Sequence, residues 1–208
     1  MMIPKIIHYI WFSGDPKPPL VNMCIQSWKD KLPDFKIMEW NMSNYDTNKN
    51  QFMKEAVLMK KYQFASDYAR FDILYNYGGV YFDSDVEVIK DITPLLDDNG
   101  FIGVDNNGVI AMETIGAVPG IPIFKTLMAL YENEGFIMQN GQMNIVPCPQ
   151  KCQPVLNGKT QEEIGLTIYP KEYFYPYNFM TKETRVTDNT YTKHHYAASW
   201  MPKWFKIM

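Results

Sequence analysis

The sequence predicts an α/β domain: a mixed, mostly parallel sheet flanked by helices. Two observations carry this. Residues 5–40 read as strand, helix, strand, the opening of a parallel sheet. Residues 64–87 then read as a buried helix, a Gly-Gly stop, a short apolar strand and an acidic tip. In open sheets of this kind ligands gather beyond the carboxyl ends of the strands.

Taken in order, residues 5–11 (Lys-Ile-Ile-His-Tyr-Ile-Trp) form a strand, followed by the turn Ser13-Gly14-Asp15-Pro16. Trp11 ends this strand, where a nucleotide fold would place contacts to a base, although a tryptophan there would also serve to cap the core. His8 lies inside the strand and is expected as a satisfied core histidine. Pro18-Pro19 introduce a helix over 20–31 with Val21, Cys24, Ile25 and Trp28 in one apolar stripe. Residues 35–40 alternate as a second strand, 41–50 form a polar loop, and 51–61 form a short helix.

The central helix places Phe64, Tyr68, Phe71 and Tyr75 at helical spacing, with Ala65, Ala69 and Ile73 beside them, so it is buried over much of its circumference. Gly78-Gly79 end it, because glycine tolerates the left-handed conformation that closes a helix. Val80-Tyr81-Phe82 is the strand, and Asp83 and Asp85 follow at its carboxyl end. Residues 86–89 resume a strand, 91–96 form a turn, and strands over 101–104 and 109–112 flank the hairpin signal Asp105-Asn106-Asn107-Gly108. A helix is expected over 121–132. Between 135 and 165 the pattern dissolves into Gly, Asn, Pro and Gln and is expected as a long loop, either a lid or acceptor-side wall or an irregular insertion. A short strand over 166–170 follows, and 191–200 carries two histidines near the carboxyl end.

With 208 residues the chain is expected to be one domain, 1–208. A net charge of −3, from 20 basic and 23 acidic residues without a basic block, disfavours nucleic acid as a partner. Cys24, Cys148 and Cys152 make no disulfide framework, and a Cys-x3-Cys pair without two further ligands is poor evidence for zinc, so free thiols in a reducing compartment are expected. No signal peptide and no membrane-spanning run of about 18 apolar residues is read. The expected location is the cytoplasm. The basic and apolar tip 201–208 is compatible with a peripheral contact at the inner membrane face, although packing on the domain suits so short a segment better.

The chemistry concentrates in residues 64–87. Two carboxylates separated by one small residue can both turn toward a hard divalent cation, and oxygen ligands suit Mg2+ or Mn2+, which can hold a diphosphate. Asp67 and Arg70 stand one turn apart on a helix that otherwise favours burial. An Asp-x-Asp by itself is a weak signal, and an Asp-Arg pair is often a plain surface ion pair. Their combination with the Gly-Gly stop and the apolar strand is more specific.

That combination resembles the sugar-binding region of glycosyltransferase family 32, which includes yeast-type initiating mannosyltransferases and bacterial capsular-polysaccharide transferases. It is also similar to the catalytic core of the bacterial glucosylating toxins. The matching residues are Ala65, Ser66, Asp67, Arg70, Gly78, Gly79, Val80, Tyr81, Asp83 and Asp85, with Ser84 in the variable middle position. The opening Ile-Pro-x-Ile-Ile-His-x-Ile-Trp and the closing His-His-aromatic-x-small-Ser-Trp are also matched.

The resemblance implies a GT-A type nucleotide-diphospho-sugar transferase fold. It also implies a retaining, metal-dependent hexosyltransferase that uses a nucleotide-diphosphate sugar, UDP-sugar favoured over GDP-mannose, with a glycan or lipid-linked saccharide as acceptor in surface polysaccharide synthesis. Ile10 and Trp11 would line the nucleoside pocket, and Ser66, Asp67, Arg70 and Ser84 would contact the donor. Ser199 and Trp200 would contact the diphosphate, while Asp83, Asp85 and a histidine would hold Mn2+ or Mg2+. Alternation allows only one of His194 and His195 to face the site. The resemblance assigns that place to His195, directly before an aromatic residue. A nucleotide-sugar hydrolase or a noncatalytic sugar-binding domain would share the same acidic tip.

Overall fold

The computed structural model describes residues 2–197. Ser199 and Trp200 lie outside the described residues, as does the basic and apolar tip 201–208. The chain begins with β1 (Ile6–Ile10), α1 (Pro19–Lys31), β2 (Lys36–Trp40), α2 (Gln51–Leu58) and α3 (Tyr62–Tyr77). It continues through β3 (Gly79–Phe82), β4 (Val86–Val88), β5 (Gly100–Val104), β6 (Ile110–Ala117) and α4 (Pro122–Ala129). α5 (Cys148–Leu156), α6 (Gln161–Ile164), β7 (Thr167–Tyr169) and β8 (Thr192–His194) complete it.

Six strands form one sheet in the order β2-β1-β3-β6-β5-β7, and β4 and β8 form a small second sheet. The pairs β1/β2, β1/β3 and β5/β7 are parallel, while β3/β6 and β5/β6 are antiparallel. The sheet is therefore mixed, with parallel pairing in the majority. The β5/β6 hairpin forms where the Asp-Asn-Asn-Gly signal lies, and its second strand runs five residues past Met112 to Ala117.

Alternation along the short central strand sorts the core into two layers. Tyr81 packs with α2, α3, α4 and α5 on one face. Val80 and Phe82 pack with Cys24 and Trp28 of α1 and with β4 on the other. α3 is buried almost all round, including the charged Asp67, Arg70 and Asp72. Its end is set by Gly78 and Gly79, at φ of 62° and 91°. A Cβ on Gly78 would stand 2.8 Å from the Ala117 carbonyl oxygen, and one on Gly79 would stand 2.7 Å from that of Ile6. Both positions therefore require glycine for space as well as for backbone angle.

The long loop expected over 135–165 is corrected by the structure. Residues 148–156 form α5, which buries Cys148, Cys152 and Leu156. These are the only well-buried positions at helical spacing in a segment interrupted by Pro149 and Pro154, so packing against β6 overrides poor local propensity. α6 is one turn with a capping box between Thr160 and Glu163, a spacing visible in the sequence. His8 is buried as expected: its Nε2–H donates to the Gly78 carbonyl at 2.9 Å, and its Nδ1 accepts from Trp40 Nε1 at 3.0 Å.

Candidate active site

The carboxyl edge of the sheet carries the site. β1 and β3 are parallel neighbours with His8 opposite Tyr81, so Ile10 and Asp83 stand level at that edge. Asp83 follows β3 directly, and a tight turn, closed by the Val86 N–H on the Asp83 carbonyl at 3.0 Å, brings Asp85 back beside it. β4 then pairs with β8, with Val86 opposite His194. Asp83, Asp85 and His194 each offer a ligand atom within 4.8 Å of the other two.

This differs from the sequence expectation in the choice of histidine. His195 turns to the opposite face of the small sheet, where its Nε2 meets Glu87 Oε2 at 2.8 Å. The reason is strand parity: Val86 and His194 are paired and face inward, so Glu87 and His195 face the other way. His194 is buried, with Nε2 at 3.3 Å from Asp85 Oδ1 and Nδ1 without a partner.

Burial alone would raise the Asp85 carboxyl, but the His194 charge and hydrogen bond and the Ala197 N–H at 2.8 Å outweigh it and hold the pKa at about 2. Burial likewise opposes a charged His194, yet Asp85, Glu113 and Asp83 raise its pKa to about 9. The imidazole thus takes a cation's place beside the acidic pair. Two carboxylates and one imidazole are a donor set that fits Mn2+, and Mg2+ less well because of the nitrogen. A buried imidazole nitrogen with no partner also fits a place completed by a ligand.

The second half of the site is the Asp67-Arg70 pair. The Arg70 guanidinium meets Asp67 Oδ1 at 2.8 Å, Asp83 Oδ1 at 3.3 Å and the Met112 carbonyl at 2.9 Å. It also lies over the Tyr81 ring at 4.9 Å, and the Tyr81 hydroxyl donates to Asp83 Oδ1 at 2.7 Å. This is no surface ion pair, because both side chains are less than a tenth exposed. Burial raises the Asp67 carboxyl to about 7 in spite of Arg70. Asp83 is also raised, by burial against the pull of Arg70. Ser66 serves this pair from behind: its hydroxyl donates to the Gln63 carbonyl at 2.6 Å and stands 3.4 Å from Arg70 Nη2. Ser84 occupies the turn between the two acids and is half-buried.

Ile10 is buried in the core layer shared with α3, whereas Trp11 is half-buried and lines a cleft of about 270 Å³ with Lys17, Glu39 and Asn41. Trp11 Nε1 donates to the Asp15 carbonyl at 2.8 Å, and Lys17 bridges Glu39 at 2.8 Å. The structure thus brings Asp67, Arg70, Asp83 and Asp85 into one network and adds His194. It places Ile10 and Trp11 on the adjoining strand end.

Three residues of this region escaped sequence reasoning. Tyr81 has only a strand position in the sequence pattern, yet it touches Arg70 and Asp83. Tyr196 lies against His194 with ring centres 4.1 Å apart and the planes tilted by 44°, and it holds a φ of 50°, rare for a bulky side chain. Glu113 lies just past the end of the predicted strand over 109–112, and no local pattern marks it.

The geometry agrees with comparisons to known proteins. A family model described as "Glycosyltransferase sugar-binding region containing DXD motif" matches residues 18–102. The chain is 34% identical over 112 residues to inositol phosphoceramide mannosyltransferase 1 of Schizosaccharomyces pombe, covering 48% of this chain and 33% of that protein. It is 31% identical over 147 residues to mannosyl phosphorylinositol ceramide synthase SUR1 of Saccharomyces cerevisiae, covering 65% of this chain and 37% of that one. The chain therefore spans about a third of the length of these curated relatives. Among solved structures, PaToxG glycosyltransferase superposes with a TM-score of 0.56 at 17% identity, over 78% of this chain and 72% of the other. Residues 18–102 thus match the model of a glycosyltransferase sugar-binding region containing the DXD motif, and the fold is that of the GT-A nucleotide-sugar transferases.

Proposed function

We propose that this chain is a metal-dependent, retaining glycosyltransferase that moves a hexose from a nucleotide-diphosphate sugar to a saccharide or lipid-linked acceptor. The observation that carries the reading is the convergence of Asp83, Asp85 and His194 beside the buried Asp67-Arg70 pair. Asp83, Asp85 and His194 would hold Mn2+ or Mg2+, which when bound supplies positive charge against the diphosphate. Asp67 and Arg70 present a carboxylate and a guanidinium fixed by each other, suited to fork across two sugar hydroxyls. The Trp11 cleft, level with the acidic edge, offers an indole face and polar groups for the nucleoside. Arg70 also sets the position of Asp83, so sugar and diphosphate binding are tied through one side chain.

The names of the curated relatives favour a mannosyl donor and a phosphoinositol-ceramide-like lipid over a capsular glycan. A lipid acceptor suits the hairpin closed by the Tyr177 and Thr184 bridge, where Phe179, Met180 and Val186 are exposed close to Lys182 and Arg185. That hairpin adjoins the site through Phe179 against Tyr196 and Tyr196 against His194. A cytoplasmic location with contact at the membrane face follows as part of the same proposal. Among the described residues, no helix is long and apolar enough to cross a membrane.

Calorimetric titration of GDP-mannose, UDP-glucose and UDP-galactose with Mn2+ and with EDTA tests the reading. At least one donor binds at least tenfold tighter with Mn2+, and His194→Ala removes that gain while His195→Ala keeps it. Equal binding in EDTA, or loss in His195→Ala alone, overturns the metal assignment. Release of free sugar at the same rate with and without a glycolipid acceptor would make the protein a hydrolase.

A further inference from the structure

Glu113 is a charged side chain at the centre of the site to which the mechanism above gives no work. Along β6 the pairing with β5 runs from Ile115 opposite Ile102 directly to Ala111 opposite Gly103. Met112, Glu113 and Thr114 therefore bulge away from β5, a device that re-aims side chains next to active sites. Two of its three carbonyls are held by the site itself. The Met112 carbonyl accepts from Arg70 Nη1 at 2.9 Å, and the Glu113 carbonyl accepts from the Asp83 N–H at 2.9 Å.

The Glu113 side chain starts from that point. Its Oε2 is closed off from solvent, and the group that answers it is the equally buried Tyr175 hydroxyl. Arg70 is already engaged by Asp67, Asp83 and Met112, and His194 by Asp85. The charge of Glu113 bears on Asp67, Asp83 and His194 alike, so it stands near both the pair that would hold the sugar and the cluster that would hold the diphosphate. A carboxylate oxygen shut away from water with only a neutral hydroxyl beside it costs stability, and fold packing alone gives no return for it.

We propose that Glu113 is a catalytic residue that faces the reacting carbon of the donor sugar and stabilises the positive charge developing there. This rests on the glycosyltransferase reading of the site. In the step, the bond from that carbon to the diphosphate oxygen breaks and its electron pair stays on the diphosphate. The acceptor hydroxyl oxygen bonds to the carbon, and the hydroxyl proton passes to the departing diphosphate oxygen. Glu113 gains and loses no atom. Its negative charge acts from a half-buried, preorganised position, where such a group is worth more than in open water.

The test is Glu113→Gln in the full chain, assayed for transfer and for donor hydrolysis with Mn2+ and GDP-mannose or UDP-glucose. The amide keeps the shape and removes the charge, so kcat falls by about 100-fold or more while donor affinity by calorimetry stays within about threefold and the melting temperature is kept. A kcat within about threefold of wild type, or a fall in affinity that matches the fall in rate, overturns the proposal. Tyr175→Phe supplies a second reading that does not depend on how the Gln variant folds, since it removes the neighbouring hydroxyl and leaves the carboxylate. Its kcat stays near wild type, and a drop as large as that of the Gln variant would show a structural Glu-Tyr pair and overturn the assignment. A wild-type protein that binds neither nucleotide sugar overturns the glycosyltransferase reading and this assignment with it. Normal turnover by Glu113→Gln overturns the assignment alone.

Discussion

Replacing Asp67 by Asn should make the protein more stable while disabling it, by an amount set by pH. Asp67 is 6% exposed on a helix surrounded by core, and burial lifts its carboxyl from an ordinary 3.8 to about 7 although Arg70 stands 2.8 Å away. A carboxyl that holds its proton more tightly in the fold than in the unfolded chain weakens the fold as pH rises. The penalty is absent below about 3.8, grows between the two values and is complete above about 7. At roughly 1.36 kcal/mol per pH unit that interval amounts to about 4 kcal/mol.

Asn keeps the shape and an acceptor for Arg70 but has no proton to lose, so the variant escapes the penalty. Urea denaturation of both proteins at several pH values between 4 and 7.5 should give curves that nearly coincide at the acid end. They should separate by about 4 kcal/mol at neutral pH, with unchanged m-values. The same variant should lose donor binding, the usual exchange of stability for function at a site. A variant less stable than wild type at pH 7, or a difference that does not change with pH, would refute the reasoning. It would mean that Arg70 holds Asp67 ionised and that the pair stabilises the fold.

Two further outcomes follow from the elements that frame the site. Gly79→Ala, at φ 91° with its new Cβ 2.7 Å from the Ile6 carbonyl oxygen, should cost about 2 kcal/mol or more in urea denaturation. Gly14→Ala, at φ 70° with open space around it, should cost about 1 kcal/mol, and equal costs would refute the steric argument. Burial lowers the His8 pKa from 6.5 to about 4, so the stability it contributes is complete above pH 6.5 and declines as pH falls toward 4, by about 3 kcal/mol in all. NMR titration should find the His8 ring neutral at pH 5, and a midpoint near 6.5 would refute this.

The helix, Gly-Gly stop, strand and acidic tip were readable from the chain because every contact they need is local. Helical spacing, a left-handed closure and a period of two are all written within a few residues of each other. The same holds for the capping box at Thr160 and Glu163, although it lies inside a segment poor in apolar residues. α5 could not be read locally, because Cys148, Cys152 and Leu156 are held by β6 and α4, which are distant in sequence.

By itself the sequence determined the order of the elements, the helix end at Gly78, and the identity of the acids and the arginine at the sheet edge. Only the tertiary structure decided which histidine joins them, because the choice depends on the register of β8 against β4, and a shift of one residue exchanges the two faces. The position of Glu113 depended in the same way on a bulge against β5. Side chains whose neighbours are set by pairing between distant strands leave no local pattern, and in this protein those are the residues that complete the site.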